Sequence, residues 1–249
     1  MPSLKDKTVL IIGRGSGIAR AIAVAVSEDG GQVIAAGRHP DDLASAYRGM
    51  DIGIERVDVT DESSVAALAD RIATVDHVVS TASARARGGY ADLTASLVNA
   101  SFGTKVTGPL LLAKHFVGNL APGGSFLFMS GATALKPAPG MFAVAATNAA
   151  VDAITAGLAV ELAPIRVNAI APGTIDTSAY DALGDERKAA LFQARTEVRR
   201  ISGLISFEPD QVEVHLDGTL LCLGPGRTVI PHGPDRDLTA GEVASASQP

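Results

Sequence analysis

Short apolar runs alternate with amphipathic stretches through residue 170. The runs Thr8–Ile12, Gln32–Ala36, Ile52–Val57, Asp76–Ser80, Ser125–Ser130 and Arg166–Ile170 are short and apolar, most of them carrying Val or Ile, and predict strands. Between them the apolar positions recur at helical spacing, which predicts helices over Ile18–Asp29, Asp41–Arg48, Glu62–Ala73, Ala95–Asn119 and Ala143–Leu162. Gly30-Gly31 ends the first helix, and Asp61 is placed to cap the third through its carboxylate. Gly108-Pro109 predicts a bend in the fourth. This alternation predicts the α/β class, with a single Rossmann-type, doubly wound parallel sheet covered by helices on both faces.

No internal repeat is visible, and no linker precedes about residue 205. Residues 1–205 are expected to form the body of the domain, and 206–249 an atypical C-terminal segment of it. Within that segment Val212–Leu216 and Thr219–Leu223 read as strands turning at Asp217-Gly218. The tail from Pro231 is polar, rich in Gly and Pro, and expected to be poorly ordered.

Composition narrows the partners. Apolar residues make up 47% of the 249, enough for a full core, while aromatics are only 4%, so elements must pack closely through small side chains. The formal charge is −6 and no Lys/Arg run tracks a phosphate backbone, which argues against nucleic acid. No apolar stretch is expected to reach the roughly 18 residues a membrane span needs, and no signal-peptide core is expected near Met1. The lone Cys222 excludes an internal disulfide, fits a cytoplasmic location and reads as a small buried apolar residue. The five histidines and one cysteine form no metal-ligand pattern.

The candidate chemistry lies at the ends of the strands. Gly13-Arg14-Gly15-Ser16-Gly17-Ile18-Ala19 joins the first strand to the first helix. Glycines there let the backbone approach a pyrophosphate, and the helix N-terminus offers N–H groups and a positive dipole end. The bland alternative is an ordinary strand-to-helix loop. An acidic residue after the second strand would accept from the adenosine ribose and favour NAD. This chain has Gly37-Arg38-His39 instead. A cation suits a 2′-phosphate and favours NADP over NAD, with Arg14 as a second positive contact; otherwise Arg38 is a solvated surface charge. Asp58-Val59 follows the third strand, where Asp58 either accepts from the adenine amino group or caps a helix beside Asp61. Ser80-Thr81-Ala82-Ser83 follows the fourth strand, at the edge where open sheets bind ligands.

Together these features resemble the short-chain dehydrogenase/reductase family over residues 5 to 180. The glycine turn reads Ile12-Gly13-x-x-x-Gly17-Ile18-Ala19 against the family's Thr-Gly-x-x-x-Gly-x-Gly. Ser80-Thr81-Ala82-Ser83 stands where the family has Asn-Asn-Ala-Gly, and Asn168-Ala169-Ile170-Ala171-Pro172-Gly173 matches its Asn-x-x-x-Pro-Gly. The resemblance implies that Pro172 and Gly173 belong to the cofactor site and that the residues after them, Thr174, Ile175 and Thr177, touch the nicotinamide carboxamide. It also implies a homodimer or homotetramer paired through the two long helices, whose Ala-rich faces suit close packing.

The catalytic positions depart from that pattern. Val144 stands at the family's Tyr position, Asn148 at its Lys position, Gly131 (or Ser130, if the strand slips by one) at its Ser position and Lys105 at its Asn position. The Tyr moves a proton at the carbonyl oxygen, and the Lys binds the nicotinamide ribose. Valine does neither, and a positioned general acid is worth about 10² to 10⁴ in rate. Lys105, Ser130, Thr133 and Thr147 are the candidates to approach the nicotinamide in their place, and Asn148 to bond a ribose hydroxyl. The competing reading of Lys105 is a solvent-facing side chain; His115 reads as helix packing or surface.

Three functions follow as expectations. The first is an NADP-dependent oxidoreductase acting on a small carbonyl or alcohol, with Lys105 or Ser130 steadying the oxygen. The second is an NADP-binding sensor or assembly protein without redox chemistry. The third is a scaffold with an empty glycine turn. Ser178–Arg200 is expected to cover the site and set specificity, and the usual C-terminal helix and strand are missing from Arg199–Pro249.

Overall fold

The computed structural model describes residues 4–175, 177, 184–193, 198–199, 205–207, 212–216 and 219–223. Six strands, β1 (Thr8–Ile12), β2 (Gln32–Gly37), β3 (Ile52–Arg56), β4 (Val75–Ser80), β5 (Leu120–Met129) and β6 (Arg166–Ile170), form one parallel sheet in the order β3-β2-β1-β4-β5-β6. The order reverses beside β1. In an open α/β sheet the ligand crevice lies at that switch point, outside the carboxyl ends of the strands.

The two-residue period of the strands divides the core. In β1, Val9 and Ile11 face one layer and Leu10 and Ile12 the other. On the first side lie α1 (Gly17–Glu28) and α2 (Pro40–Ala46), contributing Ile22, Val26 and Leu43. On the second lie α3 (Glu62–Arg71), α4 (Ala95–Phe102), α5 (Gly108–Phe116) and α6 (Phe142–Glu161), with Leu68, Leu112, Phe116 and Val151 packed on Phe126 and Phe128. The doubly wound architecture is as expected. Asp61 caps α3 by accepting from Ser63 N at 3.0 Å.

Two details revise the sequence reading. The stretch 95–119 is helical throughout, but Gly103–Thr107 winds as a π-turn between α4 and α5. Pro109 has no N–H to give the carbonyl of Lys105, so the α-helical bond there cannot form, and the wider turn rebonds the chain. The expected bend is this π-turn. Secondly, α6 is long and apolar enough, by length and composition, to cross a membrane, contrary to the expectation that no stretch would reach that mark. Its Asn148, Val151 and Thr155 are buried against the rest of the domain.

Beyond the main sheet, β7 (Thr174–Ile175) pairs in parallel with β8 (Val198–Arg199), and α7 covers Asp185–Gln193. Strands β9 (Ile205–Phe207), β10 (Val212–Leu216) and β11 (Thr219–Leu223) form a separate antiparallel sheet. The last two have the expected bounds. Their Asp217-Gly218 turn, residues 178–183, 194–197 and 200 of the expected covering segment, and the tail from Pro231 lie outside the described residues.

Candidate active site and cofactor cradle

The glycine turn is cramped where a pyrophosphate would approach. A Cβ on Gly13 would lie 2.2 Å from Thr81 Oγ1, and one on Gly37 would lie 2.7 Å from the Gly13 carbonyl oxygen. Gly17 opens α1 at φ +58°, where only glycine is relaxed. Ser16 occupies the N-cap without a side-chain bond to the first turn, and that turn carries no acidic residue. The free N–H groups and the positive end of α1 are left for an anion. Thr81 ties β4 to β1, donating to the Ile12 carbonyl through N at 2.8 Å and Oγ1 at 3.1 Å. Thr177 lies against Gly17, 3.1 Å from where its Cβ would stand. The cradle therefore fits a dinucleotide's phosphates.

Around it the other expected residues take their places. Arg14 and Arg38 are exposed, Arg38 directly after β2. Asp58 Oδ1 accepts from Thr60 N at 3.0 Å and Thr60 Oγ1 at 2.7 Å. The Thr60 hydroxyl, with Arg38 and Arg56 nearby, holds the Asp58 carboxyl below its usual range. Asp61 is the cap of α3, so Asp58 is not. Val59 is buried, its side chain against Gly108 in the core, so only its backbone is available to a ligand. Ser80 is buried at the end of β4, and Ile18 and Ala82 are half-buried. Pro172 accepts from Ala132 N at 3.0 Å, Gly173 is exposed, Thr174 belongs to β7 and Ile175 is buried.

At the carboxyl end of β5 the π-turn delivers Lys105 into the protein, where it is only 8% exposed. The solvent-facing alternative is thereby set aside. Lys105 Nζ donates to the Ser130 carbonyl at 3.0 Å and to Asn148 Oδ1. Asn148 Nδ2 donates to Thr133 Oγ1 at 2.7 Å, and Ser130 Oγ donates to the Asn148 carbonyl at 3.1 Å. The structure thus brings Lys105, Ser130 and Asn148 into one hydrogen-bonded cluster. Burial, with a smaller push from Arg85 and against the pull of Asp152, lowers the Lys105 pKa to about 8. Burial pushes the Asp152 carboxyl up, against Ser130 and Lys105.

Val144 is buried in the first turn of α6 and supplies no proton. Thr147 is fully buried and donates to the Val144 carbonyl at 3.0 Å, which takes its hydroxyl out of the site. His115 lies elsewhere, 3.2 Å from Glu62 Oε1. Sequence reasoning missed Asp152 and Arg85. The signal for Asp152 was its position one helical turn after Asn148 on the same helix. Among the described residues no group of acidic, His or Cys side chains could hold a metal ion.

Comparison with known proteins places this architecture. The family described as Enoyl-(Acyl carrier protein) reductase matches residues 12–204. The short-chain dehydrogenase/reductase malC of Malbranchea aurantiaca is 30% identical over 234 residues, covering 86% of this chain and 88% of malC. The structure of the MalC reductase/Diels-Alderase from that organism superposes with a TM-score of 0.70 at 30% identity, covering 77% of this chain and 82% of that one. A small-chain dehydrogenase in complex with NADPH gives a TM-score of 0.63 at 30% identity, covering 76% and 80%. The fold and site define a Rossmann-type protein of the dehydrogenase class. The chain belongs to the short-chain dehydrogenase/reductase family, a family of oxidoreductases.

Proposed function

We propose that the chain is an NADP-dependent oxidoreductase that reduces a small carbonyl compound, with Lys105 holding the reacting oxygen and supplying its proton. The observation that carries this is the buried ammonium of Lys105, fixed by Ser130 O and Asn148 Oδ1. An ammonium has three donors. Two are committed among the described residues, and the third serves the substrate oxygen. The dinucleotide, when bound, supplies the hydride. Gly13–Ile18 hold its pyrophosphate, Arg38 and Arg14 its 2′-phosphate, Asp58 its adenine, Ser80–Ala82 its flank and Thr174, Ile175 and Thr177 its carboxamide. Asn148 and Ser130 orient Lys105, and Thr133 orients Asn148. The NADPH complex of a relative supports the choice of cofactor. Subunits pair through α4, α5 and α6, whose Leu97, Leu110 and Val160 are exposed in the single chain.

Val144 favours a second reading, a nucleotide-binding protein without redox chemistry, since the usual proton donor is absent. Single-turnover mixing of NADPH-loaded protein with a panel of aldehydes and ketones separates the two. Loss of NADPH absorbance with stoichiometric alcohol, reduced at least 100-fold in Lys105→Met, is the expected result. NADPH binding without transfer to any carbonyl would favour the sensor.

A further inference from the structure

Ser101 is the buried residue of α4, only 1% exposed, and its hydroxyl has no hydrogen-bond partner among the described residues. A serine or threonine inside a helix often returns its hydroxyl to a carbonyl of the preceding turn. On α6, Thr155 donates in this way to Val151 O at 2.7 Å, and Thr147 to Val144 O at 3.0 Å. Ser101 does not. A buried hydroxyl left unpaired costs stability, so its presence asks for a partner from outside the chain.

The fold places that hydroxyl. α4 packs on α6, so the buried side of α4 faces α6. The helices α4 and α5 lead from β4 to β5, and α6 leads from β5 to β6. These strands are parallel neighbours, so the helices run in the same direction on one face of the sheet. Lys105 meets Asn148 across the seam between them. Ser101 lies one turn before Lys105, and Val144 one turn before Asn148, which sets Ser101 level with Val144. Side chains on a helix lean towards its N-terminus. Lys105 therefore leans over the turn that carries Ser101.

The other hydroxyls of the cluster are committed. Ser130 Oγ donates to Asn148 O, Thr133 Oγ1 accepts from Asn148 Nδ2, and Thr147 Oγ1 donates to Val144 O. The uncommitted one stands level with the position where valine offers no donor.

We propose that Ser101 is a catalytic residue whose hydroxyl donates to the substrate's carbonyl oxygen beside the Lys105 ammonium, in place of the donor that Val144 lacks. The identity of that oxygen rests on the oxidoreductase reading. As the carbonyl carbon gains hydride, its oxygen takes the proton of Lys105 and becomes the alcohol. Ser101 keeps its own proton, and Lys105 is left as the neutral amine, which solvent recharges. Two donors aimed at an oxygen as it gains charge stabilise the transition state more than the ground state.

The test uses the full-length protein with NADP⁺ bound and cyclohexanone as the probe. The infrared band of the ketone carbonyl is followed, with isotopic labelling of its carbon to separate it from the amide bands. In wild type the band is expected to move to lower wavenumber on binding. Ser101→Ala should lose part of that shift and Lys105→Met another part. The melting temperature of Ser101→Ala should hold or rise, because an unpaired buried hydroxyl is gone. With NADPH, kcat/KM for cyclohexanone should fall about 10²-fold in Ser101→Ala at unchanged NADPH affinity. Ser101→Cys, which keeps a weaker donor, should fall between the two. A carbonyl band that Ser101→Ala leaves in place overturns the proposal, even if ketones are reduced, and so does a wild-type complex with no shifted band. A band that responds to Ser101→Ala, with no turnover of any carbonyl, leaves the Ser101 contact standing and overturns the redox reading instead.

Discussion

Asn148 fills the space that a side chain on Gly131 would need: a Cβ there would lie 2.5 Å from Asn148 Nδ2. The two residues are therefore coupled, although one lies two residues beyond the end of β5 and the other on α6. The glycine is what allows an amide, bonded to Thr133 on one side and Lys105 on the other, to sit at the end of the strand.

Gly131→Ala is expected to destabilise the protein by about 1 to 3 kcal/mol, the cost of overpacking a tight site. It should also lower activity by displacing Asn148 from Lys105. Gly118→Ala, where nothing lies within 4 Å, is the control and should be near neutral. Asn148→Ala vacates the space, so the double variant Gly131→Ala/Asn148→Ala should lose less than the sum of the two singles. Urea denaturation of the four variants and the wild type checks this. Additive losses would show that the two residues do not share the space.

The strands and the glycine turn were legible because their signals are local. Short apolar runs mark β1 to β6, β-branched in all but β5, where Phe126, Leu127 and Phe128 carry the signal, and Gly13 to Gly17 sit between a strand and a helix in contiguous sequence. The hairpin strands β10 and β11 were readable for the same reason. The candidate catalytic cluster was legible only in part. Residues 105, 130, 133 and 148 were singled out, but the burial of Lys105 depends on the π-turn before Pro109 and on α6 crossing beside it. Those are tertiary facts. Asp152 and Arg85 act on Lys105 through space, from another helix and another loop, and no spacing along the chain announces that.

Arg38 stands after β2 where an acidic residue would read a ribose hydroxyl, and its charge already reaches Asp58. If it holds a 2′-phosphate, Arg38→Asp should weaken NADPH binding about 10- to 100-fold, the loss of a charge-assisted hydrogen bond. NADH binding should hold or improve, because the new carboxylate accepts from the 2′-hydroxyl. Calorimetric titration with both cofactors measures the reversal. Equal losses for both would place Arg38 away from the phosphate.

His77 provides a prediction about stability rather than activity. It is buried on β4 with Nδ1 2.9 Å from Ser125 Oγ, and burial, aided by Arg166, lowers its pKa to about 4 from 6.5. The unfolded chain therefore binds the proton more readily across that window. Stability from this group is present above about 6.5 and is lost as pH falls towards about 4, amounting to about 3 kcal/mol. The carboxylates of Asp58 and Asp76 are held below their usual range and add their own losses at lower pH. His77→Gln, which keeps a partner for Ser125, should flatten the curve between pH 4.5 and 6.5. Denaturation midpoints at those two values decide it.

Lys105 has its pKa lowered to about 8, so its protonation changes within the range where activity can be measured. As the proton donor for carbonyl reduction it must be charged. The value of kcat/KM for reduction should be level below about 8 and fall tenfold per unit above it; alcohol oxidation, which needs the neutral amine, should rise through the same point. Lys105→Met should remove the break and lower the rate about 10² to 10⁴-fold. The same group leaves a mark on stability. Its folded pKa lies below the unfolded value, so between about 8 and 10.5 the unfolded chain holds the extra proton, and stability should rise with pH by about 3 kcal/mol. Tyr47, whose pKa burial raises, erodes stability only above its ordinary value of 10.0. Wild type should therefore gain on Lys105→Met from pH 8 to 10. Parallel curves for the two proteins over that interval would mean that Lys105 keeps an ordinary pKa, and the break at 8 would have to belong to another group.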